Sequence, residues 1–167
     1  SEGYFDKADL RDVSVRGMVC DDTNFARTTL FSIHGAEKSQ FENAMIDGRQ
    51  FTESDIFDLV ESESLEAFFE TKQEADLAKV GLSDTDLSGL DLREVDLYQS
   101  DLSCSDLSNT NMHSIRLEGA DLFRANLEHA ELCETNLSEA DLSNADIDAA
   151  DLSVANLEEA NLTEATV

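Results

Sequence analysis

An apolar side chain recurs at every fifth position from Ala75 to the last residue. It is usually leucine, starting with Leu77 and Leu82, and Met112 and Ile147 are variants. The residue two places earlier is usually Ala, Ser or Thr, and Asp or Asn commonly stands between the two. A helix repeats every 3.6 residues and a strand every 2, so neither element alone accounts for a period of five.

A five-residue unit can form a short extended piece that ends in a corner. Residues two apart in an extended piece point to the same side, so the apolar residue and the small one before it would face inward together. Asp, Asn, Ser and Gly suit corners because their side chains hydrogen-bond to nearby backbone or because they tolerate tight turns. Four such sides would close a square of about 20 residues, and stacked squares would form parallel ladders roughly 4.8 Å apart.

The phrases ADL, SDL, TNL and ANL that fill residues 75–167 resemble the A(D/N)LXX units of the pentapeptide-repeat family. This resemblance implies an all-β fold, a right-handed quadrilateral parallel β-helix of about eight coils over the whole chain. It also implies that the central residue of each unit and the residue two before it point inward. We therefore expect a single domain, 1–167, with regular coils over 75–167.

The first third of the chain, residues 1–56, matches the repeat more loosely and predicts irregular coils. One frame runs from Phe5 to Leu30, and a second, displaced by one residue, runs from Phe41 through Phe51 to Ile56. An extra residue between the frames predicts a bulge, and Gly35 suits a bulge because glycine adopts backbone conformations that other residues avoid.

Residues 57–74 interrupt the repeat. Continuing the frame of Ile56 would bury Glu61 and Glu66 without partners, which costs too much free energy to accept. Within the stretch ESESLEAFFETKQ, Leu65, Phe68 and Phe69 have the spacing of a helix face. We therefore predict a short helix or loop that leaves the coil path.

Two interpretations of this interruption stay open. The favoured one is that the phenylalanines fold back and cover the coil wall. The alternative is that Glu66, Phe68 and Phe69 contact a partner, because binding residues often lie on loops carried by a rigid scaffold.

The charge of the chain limits its partners. There are 38 acidic residues against 11 basic ones, a net charge of −27. Nucleic acid and anionic membranes are excluded as direct ligands, because their phosphate groups would repel this chain. No apolar run is long enough to cross a membrane. A basic protein surface is the expected partner, and the alternative is an acidic surface that serves solubility or a halophilic source.

Acidic residues concentrate toward the end of the chain, where residues 125–167 hold eleven of them and no Lys or Arg. Stacking of successive turns would align Asp101, Asp121 and Asp141 in one column. Aspartate before the central residue has a structural explanation as a corner residue, whereas glutamate at outward positions has none. We predict that a partner binds an acidic face made of Glu118, Asp121, Glu139, Asp141, Glu158 and Glu159.

Few residues suggest catalysis or metal binding. The chain has no nucleophile-elbow, phosphate-loop or HExxH motif. His113 and Cys133 are one turn apart and would stack on an exposed flat wall, in one column with Arg93 and Ser153, without a third group to orient them. Two ligands are too few for zinc. We therefore expect no enzyme activity, no catalytic residue, no cofactor and no metal site.

Two functions follow from the family resemblance and the charge. Some pentapeptide-repeat proteins bind type II topoisomerases, chiefly DNA gyrase, in place of duplex DNA. A rod of about eight coils would be about 40 Å long, or about one charge per 1.5 Å, near the roughly 1.7 Å per charge of duplex DNA. The leading hypothesis is a DNA mimic that binds DNA gyrase or topoisomerase IV. The alternative is an interaction scaffold for another protein.

Location and assembly are predicted from weaker features. The odd set of cysteines, Cys20, Cys104 and Cys133, has no CxxC pair and favours a reducing compartment such as the cytoplasm. The alternative is an exported or thylakoid-lumen protein whose signal has been cleaved. The last coil has no cap before Val167, so either a cap is missing or two ends associate as a homodimer.

Overall fold

A computed structural model provides the structure of this chain. It describes the backbone of residues 3–4, 23–24, 45–46 and 49–50, and the backbone and side chains of residues 68–69 and 74–167. None of the helical residues in this described part forms a helix that is long and apolar enough to cross a membrane.

Four short strands form one sheet in the first third of the chain. They are β1 (Gly3–Tyr4), β2 (Thr23–Asn24), β3 (Met45–Ile46) and β4 (Arg49–Gln50). Strands β1 and β2 pair in parallel, with Gly3 opposite Thr23, a step of four five-residue units. Strands β2 and β3 also pair in parallel, but Asn24 lies opposite Met45, one position further on. The extra residue confirms the predicted displacement between the two frames, while the proposed bulge at Gly35 lies outside the described residues.

Strand β4 departs from the predicted coil path. It pairs with β3 in the antiparallel sense, with Ile46 opposite Arg49. The expectation that the frame of Phe41–Ile56 continues the coil beyond Ile46 is therefore wrong at this point, because the chain reverses direction. The two intervening residues are Asp47 and Gly48, a pair that two-residue hairpin turns favour since such turns need positive φ angles.

Residues 74–167 form the regular part of the β-helix. Strand β5 (Glu74–Asp76) pairs in parallel with β6 (Glu94–Asp96), and Glu74 lies opposite Glu94. Single parallel bridges continue the same step along the chain, from Gly81 and Asp101 to Asp146 and Thr166. Four five-residue sides therefore make one turn, which confirms the predicted square within this part of the chain.

The core of these coils contains the residues that the repeat places inward. Central residues such as Leu77 and Leu127 are fully buried, and the small residues two before them, such as Ala125, are buried with them. Where the small residue is Ser or Thr, its hydroxyl donates to a backbone carbonyl, as Thr110 Oγ1 does to Leu107 O at 2.6 Å. No buried side-chain polar atom of the described residues lacks a partner.

The corners combine a backbone turn with a side-chain hydrogen bond. The residue two positions after the central one usually has φ between 52° and 70°. The backbone N–H of the next residue donates to the backbone carbonyl of the central residue, as in a type II turn. The side chain of the Asp or Asn just before the central residue accepts from the backbone N–H of the residue just after the central one, as Asp86 Oδ1 does from Ser88 N at 3.0 Å. This confirms the structural explanation of the corner aspartates.

Phe68 and Phe69, within the interruption, have helical backbone conformation and lie in the core. Their side chains are 1% and 7% exposed, and the rings meet edge to face with centroids 5.0 Å apart. The burial agrees with the favoured interpretation, in which these rings cover the coil. Glu66 and most of residues 57–74 lie outside the described residues.

Burial decreases in the last coil. Leu152 and Leu157 are only partly buried, and Leu162 is 37% exposed. The homodimer through this end stays a prediction, as does the number of coils in the whole chain.

Candidate functional site

Negative charge increases along the axis of the coil. Residues 74–124 contain eleven acidic and four basic residues, a net charge of −7, whereas residues 125–167 contain eleven acidic residues and no Lys or Arg. The candidate site is this second segment, which we call the acidic half.

The cations of the first segment are engaged locally. The Arg93 guanidinium donates to both carboxylate oxygens of Asp91, at 2.8 and 2.6 Å, and this holds the pKa of Asp91 below its usual value. Arg116 donates to Asp96 Oδ2 at 2.6 Å and lies over the Tyr98 ring, 4.8 Å from its centroid. These arginines therefore neutralise carboxylates of the first segment rather than those of the acidic half.

Arg124 lies closest in sequence to the acidic half. Its guanidinium lies 5.1 Å from the centroid of the Phe123 ring, within range of a cation–π contact. The residues at the same position of the preceding and following coils are Cys104 and Asn144, neither of which is acidic.

The two aspartates of the predicted acidic face are corner residues. Asp121 and Asp141 are half-buried, and Asp121 Oδ1 accepts from Phe123 N at 3.2 Å. Asp141 Oδ1 accepts from Ser143 N at 2.9 Å and from Asn161 Nδ2 at 3.0 Å. Hydrogen bonds from the Ser143 side chain and backbone lower the pKa of Asp141. Both side chains thus support the corners besides carrying charge.

The four glutamates of the predicted face lie at one corner of the square. They occupy the first and second positions after Leu117, Leu137 and Leu157 in successive coils. Glu139 N donates to Glu158 O at 2.9 Å, which fixes the stacking of these coils. The four glutamates are Glu118, Glu139, Glu158 and Glu159. The last three are exposed, whereas Glu118 is half-buried and accepts from Asn136 Nδ2 at 3.3 Å.

Outward carboxylates occur at the other three corners as well, which the sequence analysis did not include in the candidate site. They are Glu128, Glu134, Asp148 and Glu164. All four are exposed, and each follows a central residue by one or two positions. The register that placed the first group also places these, so the signal was present in the sequence. The acidic half carries charge around its whole circumference.

The column of His113 and Cys133 does not form the flat wall that we expected. Both residues line an open depression of about 520 Å³, together with Arg93, Glu131 and Asp151. Ala130 and Ala149 also line it. The wall is therefore not flat at this column, which corrects that part of the expectation.

The chemistry of this depression does not favour covalent catalysis. Burial is the main cause that raises the pKa of the Cys133 thiol, and the negative charges of Asp151 and Glu134 add to it. A neutral thiol is a weak nucleophile and a poor metal ligand. Within the part of the chain that the structure describes, no three His, Cys, Asp or Glu side chains are arranged to hold a metal ion.

Comparison with protein families identifies the repeat. The model of the pentapeptide repeats matches residues 82–119, 115–153 and 140–167, with eight copies of the repeat. The chain belongs to the pentapeptide-repeat family. The resemblance inferred from the sequence is therefore confirmed. Members of this family fold as right-handed β-helices, which gives the hand of the helix.

Solved structures of the family resemble parts of the chain. A pentapeptide-repeat protein, Rfr23, from the cyanobacterium Cyanothece 51142 is 30% identical, over 56% of this chain and 60% of its own, with a TM-score of 0.37. One from the Arabidopsis thaliana thylakoid lumen is 38% identical, over 50% of this chain and 51% of its own, with a TM-score of 0.21. The matches thus span between half and two thirds of those proteins.

A third structure is that of QnrB1, a plasmid-mediated fluoroquinolone resistance protein. It is 14% identical over 99% of this chain and 79% of its own, with a TM-score of 0.41. None of the curated protein sequences matches the chain.

Proposed function

We propose that this chain is a non-enzymatic protein-binding module whose acidic half mimics duplex DNA and binds a type II topoisomerase, DNA gyrase or topoisomerase IV. Family membership supports the class of function, since some members bind these enzymes in place of DNA. On this proposal the protein binds neither nucleic acid nor membrane, and it acts in the compartment of the topoisomerase, the cytoplasm.

One observation carries the proposal, the density of charge on a regular rod. Residues 74–167 hold 22 acidic and 4 basic residues, a net charge of −18. Coils of about 20 residues at about 4.8 Å give this part a length of about 23 Å, or about one charge per 1.3 Å, against roughly 1.7 Å in duplex DNA. A cleft that binds DNA through Lys and Arg would meet a similar charge density here.

Stability alone does not explain these charges. Like charges about 5 Å apart repel by roughly 0.8 kcal/mol even at the dielectric constant of water, before screening by salt. Corner aspartates offset some of this repulsion through their hydrogen bonds, as Asp141 does. Glu139, Glu158 and Glu159 are exposed and do not occupy the position whose carboxylate accepts from a corner N–H. A function other than stabilising the fold therefore explains these glutamates better.

The test is inhibition of supercoiling by DNA gyrase with micromolar protein, in the presence and absence of a quinolone. We expect the wild-type protein to alter supercoiling and the variant Glu139→Lys/Glu158→Lys/Glu159→Lys to lose this effect with its circular dichroism unchanged. The matched control is Glu128→Lys/Glu134→Lys/Glu164→Lys, which makes the same change of charge at the other corners.

The outcomes separate three cases. A wild-type protein without effect on supercoiling overturns the proposal. Equal loss in both triple variants means that total charge matters and that the corner of Glu139 is not the binding face. Binding of gyrase that does not weaken as salt rises would contradict the electrostatic mechanism.

The pair Phe123 and Arg124 favours a second candidate, a scaffold for another protein partner. The other coils place small hydroxyl residues at the position of Phe123, so an aromatic ring with a stacked guanidinium is exceptional there. These residues are Ser83, Ser103, Ser143 and Thr163. Aromatic residues and arginine are enriched at the binding hot spots of protein interfaces. Replacement of Phe123 by Ser should abolish capture of such a partner and leave gyrase inhibition unchanged.

A further inference from the structure

The depression beside Cys133 contains both histidines of the described part of the chain. His113 and His129 line it together with Arg93, Glu131 and Asp151. The depression lies at the border of the acidic half, because Arg93 and His113 precede residue 125 and the other three residues follow it. The two imidazoles therefore lie where the two segments of the rod meet.

The ionised groups around the depression give it a negative charge when both imidazoles are neutral. Asp91 holds Arg93, and Glu131 and Asp151 add two carboxylates, so these four groups sum to −2. Cys133 adds no charge as a thiol. Histidine is the side chain whose charge normally changes between pH 5 and 8. Protonation of both histidines together would therefore cancel the charge of the four groups.

We propose that this depression is a pH-sensitive element, in which protonation of His113 and His129 weakens binding of a cationic partner to the acidic half. The inference rests on the proposed function for the identity of the partner, although its electrostatic step applies to any cationic partner. Binding is strong when the imidazoles are neutral and weaker when acid places two positive charges among the carboxylates.

Residues of more than one coil lie beside each histidine. His129 Nε2 lies 3.5 Å from Glu128 Oε1 in its own turn, and the backbone N–H of His129 donates to the backbone carbonyl of Asp148 in the next coil. Around His113, Arg93 lies one coil earlier, and Cys133 and Asp151 lie in later coils. Hydrogen bonds from the Ser153 side chain and backbone are the main cause that lowers the pKa of the Asp151 carboxyl, and the proximity of His113 adds to it. Glu131 and Glu134 complete the charged groups at this corner.

The test uses an N-acetylated decalysine peptide and DNA gyrase as separate probes, because the charge of this peptide is constant between about pH 5.5 and 7.5. Dissociation constants are measured at both pH values, at low salt, for the wild-type protein and for His113→Gln/His129→Gln. Glutamine is neutral at both pH values. The matched control is His34→Gln, which removes the third histidine of the chain.

We expect acid to weaken binding of decalysine to the wild-type protein and to His34→Gln by about 2- to 10-fold, since two partly exposed charges change. The double variant should bind as tightly as wild type at pH 7.5 and change by less than about 1.5-fold at pH 5.5. Protonation of carboxylates contributes equally to all three proteins and cancels in the comparison.

Two results overturn the inference. One is a wild-type affinity for decalysine that is the same at both pH values. The other is a double variant that weakens as much as wild type. If decalysine behaves as expected but gyrase does not bind at pH 7.5, the pH-sensitive element stands and the proposed topoisomerase partner is wrong.

Discussion

Replacing Val154 by Asn should stabilise the last described coil. Val154 has φ of 62°, a left-handed conformation that is unfavourable for a β-branched residue, and its side chain is 84% exposed. The left-handed conformation costs an ordinary residue about 1–2 kcal/mol, whereas Asn adopts it more readily. Asn144 and Asn109 already occupy the same position in other corners, with φ of 59° and 58°.

The expected gain is about 1 kcal/mol in the free energy of unfolding, because an exposed valine loses almost no buried area when it is replaced. For a chain of this size that gain raises the melting temperature by about 2–4 °C. Val154→Thr is the matched control, since threonine is polar like asparagine but β-branched like valine. Urea unfolding followed by circular dichroism measures the global change.

Local exchange resolves the effect if the end of the coil opens before the rest. The amide of Asn156, two residues after Val154, donates to Thr135 O of the preceding coil at 2.9 Å. Its hydrogen exchange should slow about 5-fold in Val154→Asn, the ratio that corresponds to about 1 kcal/mol. Equal protection of Asn156 in the Asn and Thr variants would refute the argument from backbone conformation.

Two further predictions test the corners. Gly119→Ala should destabilise the protein more than Gly89→Ala, because both glycines have positive φ but only at Gly119 would the new Cβ meet a neighbour, Gln99 Cγ at 3.1 Å. Urea unfolding should show that Gly89→Ala lowers the free energy of unfolding by about 1 kcal/mol. Equal losses in the two variants would show that Gln99 moves aside freely. Asp141 should make stability depend on pH: its pKa is lowered by bonds from Ser143, so its contribution is present above the ordinary aspartate value and is lost as pH falls through the lowered one. Asp141→Asn should make the free energy of unfolding depend less on pH between about pH 5 and pH 2. A plot of unfolding free energy against pH that runs parallel to that of wild type would contradict this.

The five-residue repeat was sufficient to predict the square coil, its inward residues and its corner hydrogen bonds. Each unit is local: Leu127 is buried with Ala125, and Asp86 accepts from Ser88 two residues away. Interactions within one repeat can be read from the order of residues, because the partner is always at the same short distance along the chain. The same regularity placed the glutamates around Glu139 at one corner.

The features that depend on gaps in the repeat, or on shape between coils, were not predictable in this way. A frame count did not reveal the reversal at Ile46 and Arg49, because antiparallel pairing competes with the next side of the square. Nor did it reveal the depression at His113, because residues of several coils, among them Arg93 and Ala149, line it together.

The sequence by itself determined that this chain forms a strongly acidic square β-helix, because the inward positions recur in register and the outward ones carry the charge. Only the tertiary structure decided that Phe68 and Phe69 lie inside and that two histidines share one depression. The physical reason is that burial and charge density depend on which coils stack against one another, and side chains one full turn apart meet only after the coil has closed.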